Sequence, residues 1–289
     1  MLATPEREPA ASRWATRAAL FAFGLLVSAA LLFRLFGLPS PIAYNLAAVS
    51  MGIAMASIAS AAVAAVIIWR TGRPGTARVL FATGLSLALL SLPLVLLVWS
   101  RDFPPLNDVT TDVERPPQLI AAAELRGPGD NPVVYSRRLA EEQRRAYPDI
   151  VPVRIARSSE EAQALVGDAV RRLKMEIVRE APPDPETGAP GAIEAVSRTL
   201  VLGLYGDVAI RVSGDGEQAR IDIRSASRFG RFDLGQNAEG VRELIKEIEA
   251  RADATMPTAE DARSGRRTRQ EKAGAPNSEP RRKSRARAE

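Results

Sequence analysis

The chain has 289 residues, 46% of them apolar and 25% charged, and a formal net charge of +5. It contains neither cysteine nor histidine, which excludes disulfides, thiolate catalysis, imidazole metal ligands, a Ser-His-Asp triad and a histidine pH switch. The apolar content is concentrated in the first third. Past Arg101 the chain has the composition and length of one soluble domain of about 100–150 residues.

Three uncharged stretches, Ala18–Phe33, Leu46–Trp69 and Val79–Ser100, are each followed by an arginine. A helix rises about 1.5 Å per residue, so roughly 20 apolar residues cross a hydrocarbon core. The expectation is a membrane region over residues 1–101 with three transmembrane helices at about 18–38, 46–69 and 79–100, in contact with the lipid bilayer. Arg34 interrupts the first near its end, where a guanidinium can snorkel to the headgroups. Arg7, Arg13 and Arg17 precede the first span and Arg70, Arg73 and Arg78 follow the second, whereas the loop Pro39–Asn45 is uncharged. Positive loops stay inside. This places the N-terminus in the cytoplasm and everything after Trp99 in the periplasm, for a multi-pass protein of a bacterial inner membrane. In the second span Gly52, Ala56, Ser60 and Ala64 recur every fourth residue, a small-residue seam for packing the spans together or for helix–helix self-association. No Asp, Glu or Lys lies inside a span, which removes the ion relay that a transporter would need.

Residues 102–132 are expected to form an extended, Pro-rich linker ahead of an α+β domain over 133–251. Ser158 and Glu161 have capping-box spacing, and Ala162, Leu165, Val166, Ala169, Val170 and Leu173 make one helical stripe. An antiparallel sheet of about four strands comes next, at Met175–Arg179, Ile193–Leu202, Asp207–Ser213 and Ala219–Ser225. In the last two strands Val208, Ile210, Val212, Ile221 and Ile223 point inward and Asp222 and Arg224 outward. Gly214-Asp215-Gly216 supplies the hairpin turn. A second helix starts at about Asn237, an expected N-cap, and buries Val241, Leu244, Ile245 and Ile248. Two helices on one sheet face is the expected packing. Residues 252–289 are expected to be a disordered basic tail, free or touching anionic lipid or an envelope polymer by charge alone. With the domain in the periplasm, no nucleic acid partner is expected.

Two segments resemble the bacterial domain-of-unknown-function family 1499. One is Leu106-Asn107-Asp108-Val109-Thr110-Thr111-Asp112 with Pro116-Pro117; the other is Asp222–Asn237, with Ser225-Ala226-Ser227-Arg228-Phe229-Gly230-Arg231-Phe232-Asp233-Leu234-Gly235-Gln236 inside it. The resemblance spans about Asn107–Ala250. It implies a domain boundary, in some members behind several membrane spans, and no activity or catalytic residue.

The candidate ligand-binding residues come from these two segments: Ser225, Ser227, Arg228, Asp233, Asn237, Asn107, Asp108, Thr110 and Asp112. Ser225, Ser227 and Arg228 beside a helix N-terminus would suit an anion or headgroup. The same residues also make an ordinary strand-to-helix connection. Asp108, Thr110 and Asp112 alternate like the opening of a calcium loop, but Val113 stands where glycine is needed and Leu119 where the bidentate Glu should be. No metal and no cofactor are expected. Docking as an edge strand against Ser225–Arg228 is the remaining reading of that run. A Ser–Lys pair involving Lys174 is set aside, since that residue ends an amphipathic helix. The function expected is a non-catalytic α+β module presented to the periplasm for cell-envelope binding or assembly. The alternative is a membrane-anchored hydrolase or transferase acting on a lipid or envelope substrate through Asp, Glu or Ser.

Overall fold

A computed structural model describes residues 7–184, 186–199 and 203–255. Three long helices come first: α1 (Ala10–Phe36), α2 (Ser40–Thr71) and α3 (Thr76–Trp99). All three are long and apolar enough to cross a membrane. α1 ends at Gly37, whose left-handed φ of 69° returns its N–H to the Leu32 carbonyl. The helices run up, down and up. Arg78 at the start of α3 pairs with Glu8 at 2.6 Å, so the segment before α1 and the α2–α3 turn share one end.

Small residues make the contacts within the bundle. Ala15 and Ala19 meet Ala61 and Ala82, and Ala22 meets Ala54 and Leu89. The hydroxyls of Ser50 and Ser57 donate to the Ala22 and Ala15 carbonyls at 2.7 and 2.9 Å. The packed stripe of α2 is thus Ser50, Ala54, Ser57, Ala61 and Ala64. This corrects the expected seam as a contact within the bundle: Gly52 and Ala56 are exposed and Ser60 only half-buried, and Ala64 alone belongs to the interface between the three helices. The reason is geometric. A row at every fourth residue drifts by about 40° per step on a helix of 3.6 residues per turn. The alternating four-three spacing of the packed stripe stays on one side.

A 3-10 turn (Ser100–Asp102) leads into the domain. Its elements are β1 (Asp108–Thr110), α4 (Ala121–Leu125), α5 (Arg138–Ala146), β2 (Val153–Ile155), α6 (Ser159–Arg172), β3 (Glu176–Ala181), β4 (Gly191–Arg198), β5 (Tyr205–Gly214), β6 (Ala219–Ser227) and α7 (Gln236–Ala254). The sheet has six antiparallel strands rather than four. Its order is β1-β6-β5-β4-β3, and β2 also pairs with β6, so β1 and β2 lie end to end along one edge. Both are three residues long, too short to announce themselves by periodicity. Residues 102–132, expected as a linker, therefore contribute a strand and a short helix to the fold.

Ser158 caps α6 as its sequence predicts, accepting from the Glu161 N–H at 3.2 Å. Val166 and Val170 of α6 pack with Val241, Leu244 and Ile248 of α7 against Ile193, Val208, Ile210, Ile221 and Ile223 of the sheet. Asn237 does not cap α7. The helix begins one residue earlier, behind a left-handed Gly235 (φ 78°), and Asp233 does the capping: its carboxylate accepts from the Gly235 and Asn237 N–H groups at 2.9 and 2.6 Å. Residues 252–254 are still helical, and the tail beyond 255 lies outside the described residues.

Candidate functional site

Strand alternation sends Asp207, Ala209 and Arg211 of β5 and Asp222, Arg224 and Ala226 of β6 to the face opposite α6 and α7. This face was expected to meet solvent. It does not, because the chain from Thr111 to Val133 folds back over it and brings Leu119 and Ala122 onto Ala209 and Ala226. Arg224 and Asp222 are each 1% exposed. Charges so deeply buried must be paired, and they are.

Arg224 grips Asp108 of β1 with two parallel bonds of 3.0 and 2.7 Å, and donates to the Pro117 and Val133 carbonyls of the covering segment. Asp207 receives two guanidiniums, Arg126 at 2.8 Å and Arg228 at 2.7 Å. Arg211 and Arg220 both bridge Asp112 and Asp222, at 2.8 to 3.1 Å. Burial works against the charge of Asp112. The Arg115 N–H, the Arg220 and Arg211 guanidiniums and the Glu114 N–H outweigh it, holding its carboxyl below the ordinary carboxylate range. Buried Glu194 on β4 accepts from the Ala122 N–H at 3.2 Å, an anion set at the start of α4, and pairs with Arg179. The outer edge of β1 is closed by a side chain: Gln143 of α5 accepts from the Thr110 N–H at 3.0 Å and donates to the Thr110 carbonyl at 2.6 Å.

The selected residues fall into three groups. Asn107, Ser225, Ser227, Asp233 and Asn237 form one knot. The Asn237 amide accepts from the Ser225 hydroxyl at 2.8 Å and donates to the Ser227 hydroxyl and the Asn107 carbonyl at 2.9 and 3.0 Å. Arg228 stands apart, on Asp207. Asp108 and Thr110 do run along β6 in an edge strand, opposite Ala226 and Arg224, and Asp112 lies two residues past its end. Their carboxylates diverge to different arginines. Burial pushes the Asp233 carboxyl up despite the N–H groups it accepts from. Lys174 is exposed, in a left-handed conformation (φ 57°) just past α6.

A crevice of about 110 Å³ opens beside this lattice, lined by Asn107, Asp108, Arg126, Asn131, Pro132 and Ser227 among others. A larger cavity of about 580 Å³ lies between the 3-10 turn and α7, walled by Phe103, Pro104, Tyr147, Leu234 and Arg242, and none of the selected residues lines it. Near Arg224, the ring of Tyr135 lies under the guanidinium at 5.6 Å. Burial and the Asp108 charge push its phenol up to about 12. Among the described residues no three metal-ligating side chains come together.

Sequence reasoning missed Arg126, Asn131, Tyr135, Glu194 and Asp207. Asp207 was visible as a charged residue in phase with Arg211 on an alternating strand. Arg126 and Asn131 carry no local signal, because a Pro-rich segment has no period to read.

The fold and lattice define a membrane-anchored α+β domain whose polar sheet face is sealed by its own N-terminal extension. The model of the protein family of unknown function DUF1499 matches residues 108–248, and this part of the chain is a DUF1499 domain. The match begins at the first residue of β1 and ends at Ile248, in the buried stripe of α7. Comparison with curated proteins finds no match.

Proposed function

We propose that the chain is a multi-pass inner-membrane protein holding a non-catalytic module in the periplasm for cell-envelope binding or assembly. The observation that carries this reading is the lattice. Each carboxylate among the selected residues on the polar face is bound by guanidinium: Asp108 by Arg224, and Asp112 by Arg211 and Arg220. Ser225 and Ser227 are bound to Asn237. A general base needs a free lone pair and a nucleophile needs a base within reach. These groups spend theirs on one another. The periplasmic side rests on the arginines at 7–17 and 70–78, which sit at the bundle end opposite the domain.

Two measurements test the reading. A reporter active only in the periplasm, fused after Ser100, is expected to be active; activity of a cytoplasmic reporter at that point instead overturns the placement. The full chain in nanodiscs is expected to co-sediment with isolated cell-wall polymer, and its failure to do so removes the binding role.

A further inference from the structure

Arg34 is the only charged residue between Arg17 and Arg70, and it lies in the last turn of α1. A charged residue inside an apolar span demands a partner, and the usual one is an acid. Arg34 meets another arginine. Its Nη1 donates to the Thr199 carbonyl, just beyond β4, at 3.4 Å. Arg198 reaches the other way, donating from Nη2 to the Phe33 and Arg34 carbonyls at 3.3 and 2.7 Å and from Nε to the Gly203 carbonyl at 3.1 Å.

The two guanidiniums converge. A Cβ on Gly203 would stand 2.9 Å from the Arg34 Nη1 and 3.2 Å from the Arg198 Nε, and Gly203, in the left-handed region at φ 71°, leaves that point open. Every arginine of the buried lattice faces a carboxylate. Among the described residues neither Arg34 nor Arg198 does. Like charges this close repel unless an anion screens them. Among the described residues Arg34 keeps Nε and Nη2 unspent and Arg198 keeps Nη1. These donors suit the fork geometry in which guanidinium binds phosphate.

We infer that Arg34 and Arg198 form a binding site for the phosphodiester of an anionic phospholipid in the leaflet facing the domain. The lipid supplies the missing negative charge and ties the domain to α1. The site is separate from the lattice on the polar sheet face, and it holds whichever compartment that leaflet faces.

The competing account is that Arg198 only caps the carbonyls of α1. Glutamine separates the two, since it can still donate to a carbonyl but carries no charge. The full chain is reconstituted in nanodiscs of phosphatidylglycerol and phosphatidylcholine, then released for native mass spectrometry. Wild type is expected to retain phosphatidylglycerol over phosphatidylcholine. Arg34→Gln and Arg198→Gln are each expected to lower that retention about tenfold, the scale of one lost charge-assisted hydrogen bond. Arg198→Lys is expected to keep most of it. Retention unchanged in both glutamine variants overturns the site. So does stabilisation of the lipid-free, detergent-solubilised chain by inorganic phosphate equal to that by phosphatidylglycerol, which assigns the two arginines to a soluble anion. If Arg198→Gln does not fold, Arg34→Gln, which leaves the α1 cap in place, decides alone.

Discussion

Asp207 is fully buried, and two guanidiniums depend on it for charge. Removing one partner of a buried pair costs more than the pair itself contributes, because the other charge stays behind unsolvated. Asp207→Ala strands Arg126 and Arg228 together and is expected to destabilise the domain by about 3–5 kcal/mol. Urea unfolding of the full chain in detergent measures this; a loss below about 1 kcal/mol, the scale of a surface pair, would mean that the lattice does not hold the domain together. Asp112 gives a pH signature. Its folded carboxyl titrates below its ordinary value of 3.8, so its contribution is present above that pH and is lost as the pH falls through the lowered value. Asp112→Asn is expected to flatten the fall of melting temperature below about pH 3.8. An unchanged acid limb would locate the sensitive carboxylate elsewhere. Asp233 works with the opposite sign, because its raised carboxyl favours the folded state at low pH and that benefit fades as pH rises. Neither direction was fully legible in the sequence: Asp112 owes its lowering first to the nearby Arg115 N–H, but then to Arg220 and Arg211, about a hundred residues away.

At the scale of elements, the start of α7 shows which local signals were sufficient. Ser158 was legible as the cap of α6 because its partner, Glu161, is three residues away. Asn237 carries the same kind of side chain at the same kind of boundary, yet its amide is drawn into the knot with Ser225 and Ser227 and leaves the capping to Asp233. The turn is closed by Leu234 and Gly235, both left-handed at φ 56° and 78°. A Cβ at Gly235 would stand 2.8 and 2.9 Å from two ring carbons of Phe103. Gly235→Ala therefore combines backbone strain with a clash, and is expected to cost upward of about 1–2 kcal/mol in thermal or urea unfolding. A neutral substitution would mean that Phe103 swings away freely and does not pin the domain to the end of α3.

At the scale of the molecule, the two halves are built on opposite solvent logic. The spans bury alanine and serine between helices and turn leucine, valine and phenylalanine outward, to lipid. The domain buries valine, isoleucine and leucine on one sheet face and a charge lattice on the other. The bundle presents its arginine-rich end away from the domain, so a paired fusion at Gly72 is expected to report the cytoplasm where a fusion after Ser100 reports the periplasm. Matching signals at both points would contradict the up-down-up arrangement. The spans, the two main helices, the long central strands and the family likeness were all set by the sequence alone, because hydropathy and period act over neighbouring residues. Six strands instead of four, the covered polar face, the role of Asn237 and the meeting of Arg34 with Arg198 were decided only in three dimensions. Each depends on partners many residues apart, and pairings of charge with charge or strand with short strand leave no period in the chain.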